Sequence, residues 1–226
     1  KAGLVALGDF ANTNYTFCVS EDITSPVTDG FAEFDIDIKQ GTFVTNEFVV
    51  DTSQPNQKFI LPNPYVDTST LKVQVRDTLT SSSRKTYSQI DNIVGISTHS
   101  ETFLIQEIQD EKYELLFGDG VLGKRLSNGN VINSTYIVTD GVGGNGVSNF
   151  SFSGKLVDND GGLITSGISD VITNQRSSNG AEVESIDTIR NLSTRVYSAQ
   201  HRAVTAKDYE AIIQTIFPNA ESVTDY

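Results

Sequence analysis

The sequence predicts an α+β fold in which a β-rich body, built of antiparallel strands in sandwich or meander subdomains, precedes a C-terminal pair of amphipathic helices. Three observations carry that prediction. Short runs with apolar residues at every second position recur up to about residue 178, the period of half-buried strands. Clusters of Gly, Pro, Asn, Asp and Ser separate these runs at the short spacing of a sheet sandwich or barrel. Beyond residue 179 the apolar period changes to three and four, the repeat of an amphipathic helix. The divisions that follow are a β-rich subdomain over 1–66, a β-meander with glycine-rich turns over 67–178, and a two-helix segment over 179–226.

In the first division Tyr15, Phe17 and Val19 mark one strand, Phe34, Ile36 and Ile38 a second, 43–50 a third and 59–61 a fourth. Asp35 and Asp37 fall on the face opposite Phe34, Ile36 and Ile38, which suits an antiparallel sheet with one wet side. Pro62 and Pro64 bracket Asn63 and favour an extended connector, because proline fixes φ and biases its predecessor away from helix. Leu71, Val73 and Val75 alternate as the next strand, and the polar stretch 78–85, with Ser81, Ser82 and Ser83, forms an exposed tip. Strands over 87–96 and 102–108 lead to a third through Tyr113, Leu115 and Phe117, and these segments are expected to pair as a meander.

That last strand runs into Phe117-Gly118-Asp119-Gly120-Val121-Leu122-Gly123, around which the chain is organised. Two glycines flanking an aspartate stop the strand in a tight turn, since glycine supplies positive φ and the Asp side chain bonds amides of its own turn. A strand over 131–138 follows, and Gly141-Val142-Gly143-Gly144-Asn145-Gly146 then forces a second irregular passage. Gly118 to Lys124 also has the glycine-lysine spacing of a phosphate-binding P-loop. Arg125 stands where Ser or Thr would hold magnesium, however, and the residues after it are turn formers rather than a helix start, so the structural turn is the reading adopted. After Phe150, Phe152, Leu156 and Val157, the run Asp158-Asn159-Asp160-Gly161-Gly162 looks superficially like a calcium loop. Its glycine comes too early and no glutamate closes it at the twelfth position.

Ile186, Ile189, Leu192, Ser193, Val196 and Tyr197 predict a helix over 182–200, with Glu182 and Glu184 near its positive end. Thr205 with Asp208 three residues on makes a capping-box-like start to a second helix, whose stripe is Tyr209, Ile212, Ile213 and Ile216 before Pro218 stops it. Interior packing is the default use of such faces, so Ile186, Ile189, Ile212 and Ile216 are assigned to the intramolecular core. External contacts are expected from the far side of the second helix and from the 78–85 loop.

Composition excludes several function classes. A formal charge of -13, from 29 acidic against 16 basic residues, repels nucleic acid and anionic lipid, and the helix pair lacks the basic face of a DNA reader. No apolar run approaches the roughly 20 residues that span a bilayer. The single cysteine, Cys18, excludes an internal disulfide and reads as a small buried residue rather than a nucleophile. His99 lies in a polar turn and His201 beside Arg202 between the helices, so neither a triad nor a metal-ligand spacing is present. Asp35, Asp37, Asp119 and Asp140 are glycosidase candidates by number alone, because sequence carries no carboxylate separation. The expectation is therefore a non-enzyme with no cofactor, no metal and no small-molecule substrate. There is no signal peptide at the start, no methionine anywhere, and a first residue, Lys1, inside an apolar run, which together suggest a piece of a longer protein.

Taken in order, four motifs resemble the baseplate J-like family of contractile-tail phages and related injection machines. They are Phe117, Gly118, Asp119, Gly120 and Gly123; then Tyr136 with Gly141, Gly144 and Asn145; then Asn179-Gly180-Ala181 with Glu184, Ser185 and Arg190; and Arg202 and Thr205 with Asp208 and Tyr209. Residues 71–117 are similar to the family's lead-in, so the likeness covers 62–226. The resemblance implies a structural baseplate subunit of the virion tail, a late protein assembled in the host cytoplasm. It would pair with copies of itself, form a ring around the end of the tail tube and bind other wedge proteins, with no catalytic residues to carry over. The alternative is a carbohydrate-binding or glycan-hydrolysing β-domain of a phage tail. A sugar site draws on exposed aromatics beside carboxylates, whereas this chain has no tryptophan and most of its Phe and Tyr sit at strand-alternating positions.

Overall fold

The alternating runs become strands wherever a neighbouring segment supplies a ladder. A computed structural model describes residues 1–92, 94–168, 171–183, 185–199 and 202–216. In chain order the elements are β1 (Gly3–Phe10), β2 (Thr13–Val19), β3 (Lys39–Gln40), β4 (Thr42–Val49), β5 (Phe59–Ile60), β6 (Val66–Arg76), β7 (Lys85–Gln89) and β8 (Thr102–Ile108). They continue with β9 (Lys112–Phe117), β10 (Val131–Val138), β11 (Phe150–Phe152), β12 (Leu156–Val157), β13 (Leu163–Ile164), α1 (Ile186–Ala199) and α2 (Ala206–Ile216). This is the β-rich α+β fold with two C-terminal helices that the sequence predicts. The chain divides into two compact units, one of residues 1–140 with 147–175 and the other of 141–146 with 176–226.

In the first unit a seven-stranded sheet runs in the order β4-β10-β6-β7-β8-β9-β5. β10 lies inside it, paired antiparallel with β4 from Val131↔Val49 to Val138↔Thr42 and with β6 on its other edge. Val131, Ile132, Ser134, Tyr136 and Ile137 have no exposed surface, so this strand reads as apolar on both faces rather than as a simple alternation. Across the β4-β10-β6 ladder Arg76 Nε donates to Asn133 Oδ1 at 2.9 Å, Asn133 Nδ2 donates to Glu47 Oε2 at 3.0 Å, and Arg76 also pairs with Glu47. These three polar side chains fix the register of the three strands.

Three expectations for this unit are corrected. The boundary at residue 66 falls inside the sheet, because β4 and β5 pair with β10 and β9, which come much later in the chain. The expected strand over 87–96 ends at Gln89, and the chain loops through 90–101 to set β8 parallel to β7, with Ser88 opposite Thr102 and Gln89 opposite Phe103. The sheet is thus not a pure meander. Phe34, Ile36 and Ile38 form no strand. Phe34 and Ile36 line an apolar slot with Val5, Val19, Ile23 and Phe152, so their alternation serves side-chain packing without a ladder.

A second, four-stranded sheet in the order β11-β1-β2-β3 carries its own core of Ala6, Phe17 and Val147. Cys18 is buried there, its Sγ donating to the Gly41 carbonyl at 3.1 Å, and burial pushes the thiol up from its ordinary value. β12 and β13 form a separate two-stranded hairpin.

In the second unit α1 and α2 pack on each other, burying Ala199 and Ala211. α1 starts at Ile186 rather than at 182: the Ile189 amide donates to the Ser185 carbonyl at 3.0 Å, which makes Ser185, a favoured capping residue, the helix boundary. The expected roles of Glu184 and Pro218, and the placement of His201, lie outside the described residues.

Candidate functional site

The Phe117 loop is anchored before it turns. The Phe117 ring meets Phe59 at 5.7 Å and Tyr87 at 5.8 Å, both edge to face, and Phe103 at 6.3 Å, within the range of favourable aromatic pairs. The chain then folds back so tightly that a Cβ on Gly118 would lie 2.2 Å from the carbonyl carbon of Gly123. No other residue type fits there. Asp119 Oδ1 accepts the Val121 amide at 2.8 Å and the Leu122 amide at 2.9 Å, and the Gly120 amide donates to the Gly123 carbonyl at 3.1 Å. The Leu122 and Val121 amides hold the Asp119 carboxyl below the usual carboxylate range.

This geometry decides against phosphate binding. The amides that a phosphate would need are already taken by Asp119. Lys124 turns away to Glu101 at 2.7 Å, an interaction that raises its ordinary value, and its own amide donates to the Ser100 carbonyl at 2.9 Å. The loop is therefore clamped to the 97–101 turn, with His99 exposed beside it and bonded to Thr98. It does not close a hairpin: β9 pairs with β8 and β5, and β10 with β4 and β6. Val121 and Leu122 are left exposed at the tip.

Tyr136, on the central strand, has no exposed surface; its hydroxyl donates to Asn63 Oδ1 at 2.8 Å and accepts from Asn46. Burial raises its ordinary value. Asp158 Oδ1 accepts the amides of Asp160 at 3.0 Å and Gly162 at 2.7 Å, so the run resembling a calcium loop spends that oxygen on its own turn.

In the second unit the glycine loop and the Asn179-Gly180-Ala181 motif, far apart in sequence, interlock. Asn145 Nδ2 donates to the Gly180 carbonyl at 2.9 Å, and the Gly180 amide donates back to Asn145 Oδ1 at 2.8 Å. Ser177 adds a bond from its hydroxyl to the Gly144 carbonyl at 2.6 Å and accepts the Gly146 amide at 2.8 Å. A Cβ on Gly180 would sit 2.3 Å from the Gly141 carbonyl oxygen, so the clamp closes only on glycine.

The start of α2 is a reciprocal capping box. The Thr205 amide donates to Asp208 Oδ2 at 2.9 Å and the Asp208 amide to Thr205 Oγ1 at 3.3 Å. The Thr205 amide is the main cause of an Asp208 carboxyl held below the usual range. Arg202 caps the end of α1, its amide donating to the Ala199 carbonyl at 2.8 Å, and Tyr209 points outward, half exposed. The assignment of the helix stripes to the interior is overturned for three of its four residues. Ile186 is 68% exposed, Ile189 48% and Ile216 63%, while Ile212 is half-buried. Each helix is short and one partner helix covers only part of its apolar face.

The sequence motifs thus resolve into three locks: a glycine contact with an Asx turn, an asparagine clamp and a capping box. Asp35, Asp119 and Asp140 are committed to hydrogen bonds, respectively with Asn174, with the loop amides and with Gln40. Among the described residues no group of three His, Cys, Asp or Glu side chains is placed to hold a metal, and no helix is long and apolar enough to cross a membrane. Sequence reasoning missed Ser177, whose signal was only its place two residues before Asn179. Compared with known protein families and with curated proteins, the chain matches none.

Proposed function

We propose that this chain is a non-enzymatic assembly subunit of a contractile-tail baseplate wedge, one that associates with copies of itself in a ring and binds other wedge proteins. More specifically, the four motifs resemble those of the baseplate wedge protein of the T-even phages, gene product six. The observation that carries the reading is the apolar surface left on the second unit. Beside Ile186, Ile189 and Ile216, Tyr197 is 85% exposed, Val204 76% and Tyr209 48%. These six apolar side chains, all in one unit and each about half exposed or more, are what a contact with another protein would cover. The asparagine clamp and the capping box, both in that unit, support the same reading, because hydrogen-bonded segments present a surface with a smaller ordering cost on association.

Light scattering on the purified chain across concentration tests the proposal. A reversible dimer or larger species is the expected result. A strict monomer that also binds glycans in solution would transfer the chain to the carbohydrate-binding alternative.

A further inference from the structure

The chain contains seven Asx-Gly pairs: Asp29-Gly30, Asp119-Gly120, Asn128-Gly129, Asp140-Gly141, Asn145-Gly146, Asp160-Gly161 and Asn179-Gly180. Such pairs are prone to self-reaction, since glycine offers no side chain to block attack of its amide nitrogen on the preceding side-chain carbon. In this fold, a hydrogen bond engages the glycine amide or the Asx side chain itself in six of the seven pairs. The glycine amide is occupied in five, donating from Gly120 to Gly123 at 3.1 Å, Gly129 to Val50 at 2.8 Å, Gly146 to Ser177 at 2.8 Å, Gly161 to Asp158 at 3.1 Å and Gly180 to Asn145 at 2.8 Å. At the sixth pair the Asp140 carboxylate accepts from Gln40 Nε2 at 2.5 Å and the Asp140 amide donates to Gln40 Oε1 at 2.9 Å.

Asp29-Gly30 differs. It forms the exposed tip of a turn closed by reciprocal bonds between Thr28 and Phe31, at 2.8 and 3.0 Å. Among the described residues the Gly30 amide meets no acceptor, the Asp29 carboxylate meets no donor, and no atom lies within 4 Å of the Gly30 Cβ position.

We propose that Asp29-Gly30 is the position at which the folded chain modifies itself, by conversion of Asp29 to isoaspartate. The Gly30 nitrogen bonds to Cγ of the protonated Asp29 carboxyl and gives up its proton. The Cγ–O bond breaks to release water, and addition of water to the cyclic imide at its other carbonyl leaves the backbone running through Cβ. No oxidant, reductant or cofactor enters. The extra backbone atom breaks the Thr28–Phe31 pairing and re-aims Val27 and Phe31, which are 69% and 81% exposed.

The test is ageing of the whole chain at physiological temperature and mildly acidic pH, folded and in denaturant, with isoaspartate located by peptide mapping and by labelling with an isoaspartyl methyltransferase. At Asp29 the folded and denatured rates agree within a small factor. At Asn128, Asn145 and Asn179 folding slows the reaction roughly tenfold or more, the size expected when one bond must open first. Asp29→Glu, which disfavours the five-membered imide, abolishes the signal from that peptide and leaves the others unchanged. Equal folding protection at Asp29 and at the three Asn sites, or isoaspartate in the folded chain arising first elsewhere, would overturn the proposal.

Discussion

Replacing Asn145 with alanine removes both arms of the clamp, the 2.9 Å bond to the Gly180 carbonyl and the 2.8 Å bond from its amide. Each neutral hydrogen bond contributes about 0.5–1.5 kcal/mol, and the half-buried Gly180 groups then lack a protein partner, so the expected cost is about 2–3 kcal/mol. It falls on the second unit, where the clamp ties 141–146 to the segment leading into α1. Native-state hydrogen exchange is the assay: the Gly180 amide opens roughly 30-fold to 150-fold more often, while the amides of β10 keep their protection. Asn145→Asp keeps an acceptor for the Gly180 amide but sets a carboxylate against its carbonyl, and exchange there also accelerates. Unchanged Gly180 exchange in Asn145→Ala would refute the clamp as the element that fixes this segment.

Gly118→Ala forces a Cβ to 2.2 Å from Gly123, so the loop must open; exchange at Val121 and Leu122 rises sharply and the urea midpoint falls. Tyr136→Phe strips the partners from Asn63 and Asn46, lowering stability by about 1–3 kcal/mol in denaturant unfolding. Asp119 and Asp208 have carboxyls held below their ordinary values by backbone amides. Their contribution is therefore full above the usual carboxylate value of about 4 and is lost as pH falls through their lowered values. NMR at falling pH is expected to show the Val121, Leu122 and Thr205 amides losing protection in that acid window, with Asp119→Asn blunting the effect only in the loop.

Much of the strand content is legible because alternation marks strands, and in β4 and in β6 from Leu71 on it also matches the buried and outer faces, whereas β2 and β9 bury successive residues. The capping box at Thr205 and Asp208 is a local signal. Alternation does not name a partner, however. Phe34, Ile36 and Ile38 have the right period and no ladder, and the parallel pairing of β7 with β8 depends on how the 90–101 segment crosses. The boundary at Pro62 and Pro64 misled because prolines mark a connector whether or not the sheet continues beyond it, as it does through β4 and β10. The Asn145 clamp links residues 35 apart, beyond the reach of any periodicity. The helix stripes are apolar as their period says, yet Ile186, Ile189 and Ile216 stand exposed while Ile212 is half-buried, since a stripe alone does not say whether its cover belongs to the same chain.

Whether that cover is a second copy is measured most directly by sedimentation equilibrium of the chain beside Ile189→Asp and Tyr209→Asp, two exposed positions whose replacement leaves the circular dichroism unchanged. Association of the parent chain at least about tenfold tighter than either variant is the predicted result, since buried aromatic and aliphatic anchors dominate interfaces. Identical association constants for all three, or a parent chain that remains monomeric at every concentration, would contradict it.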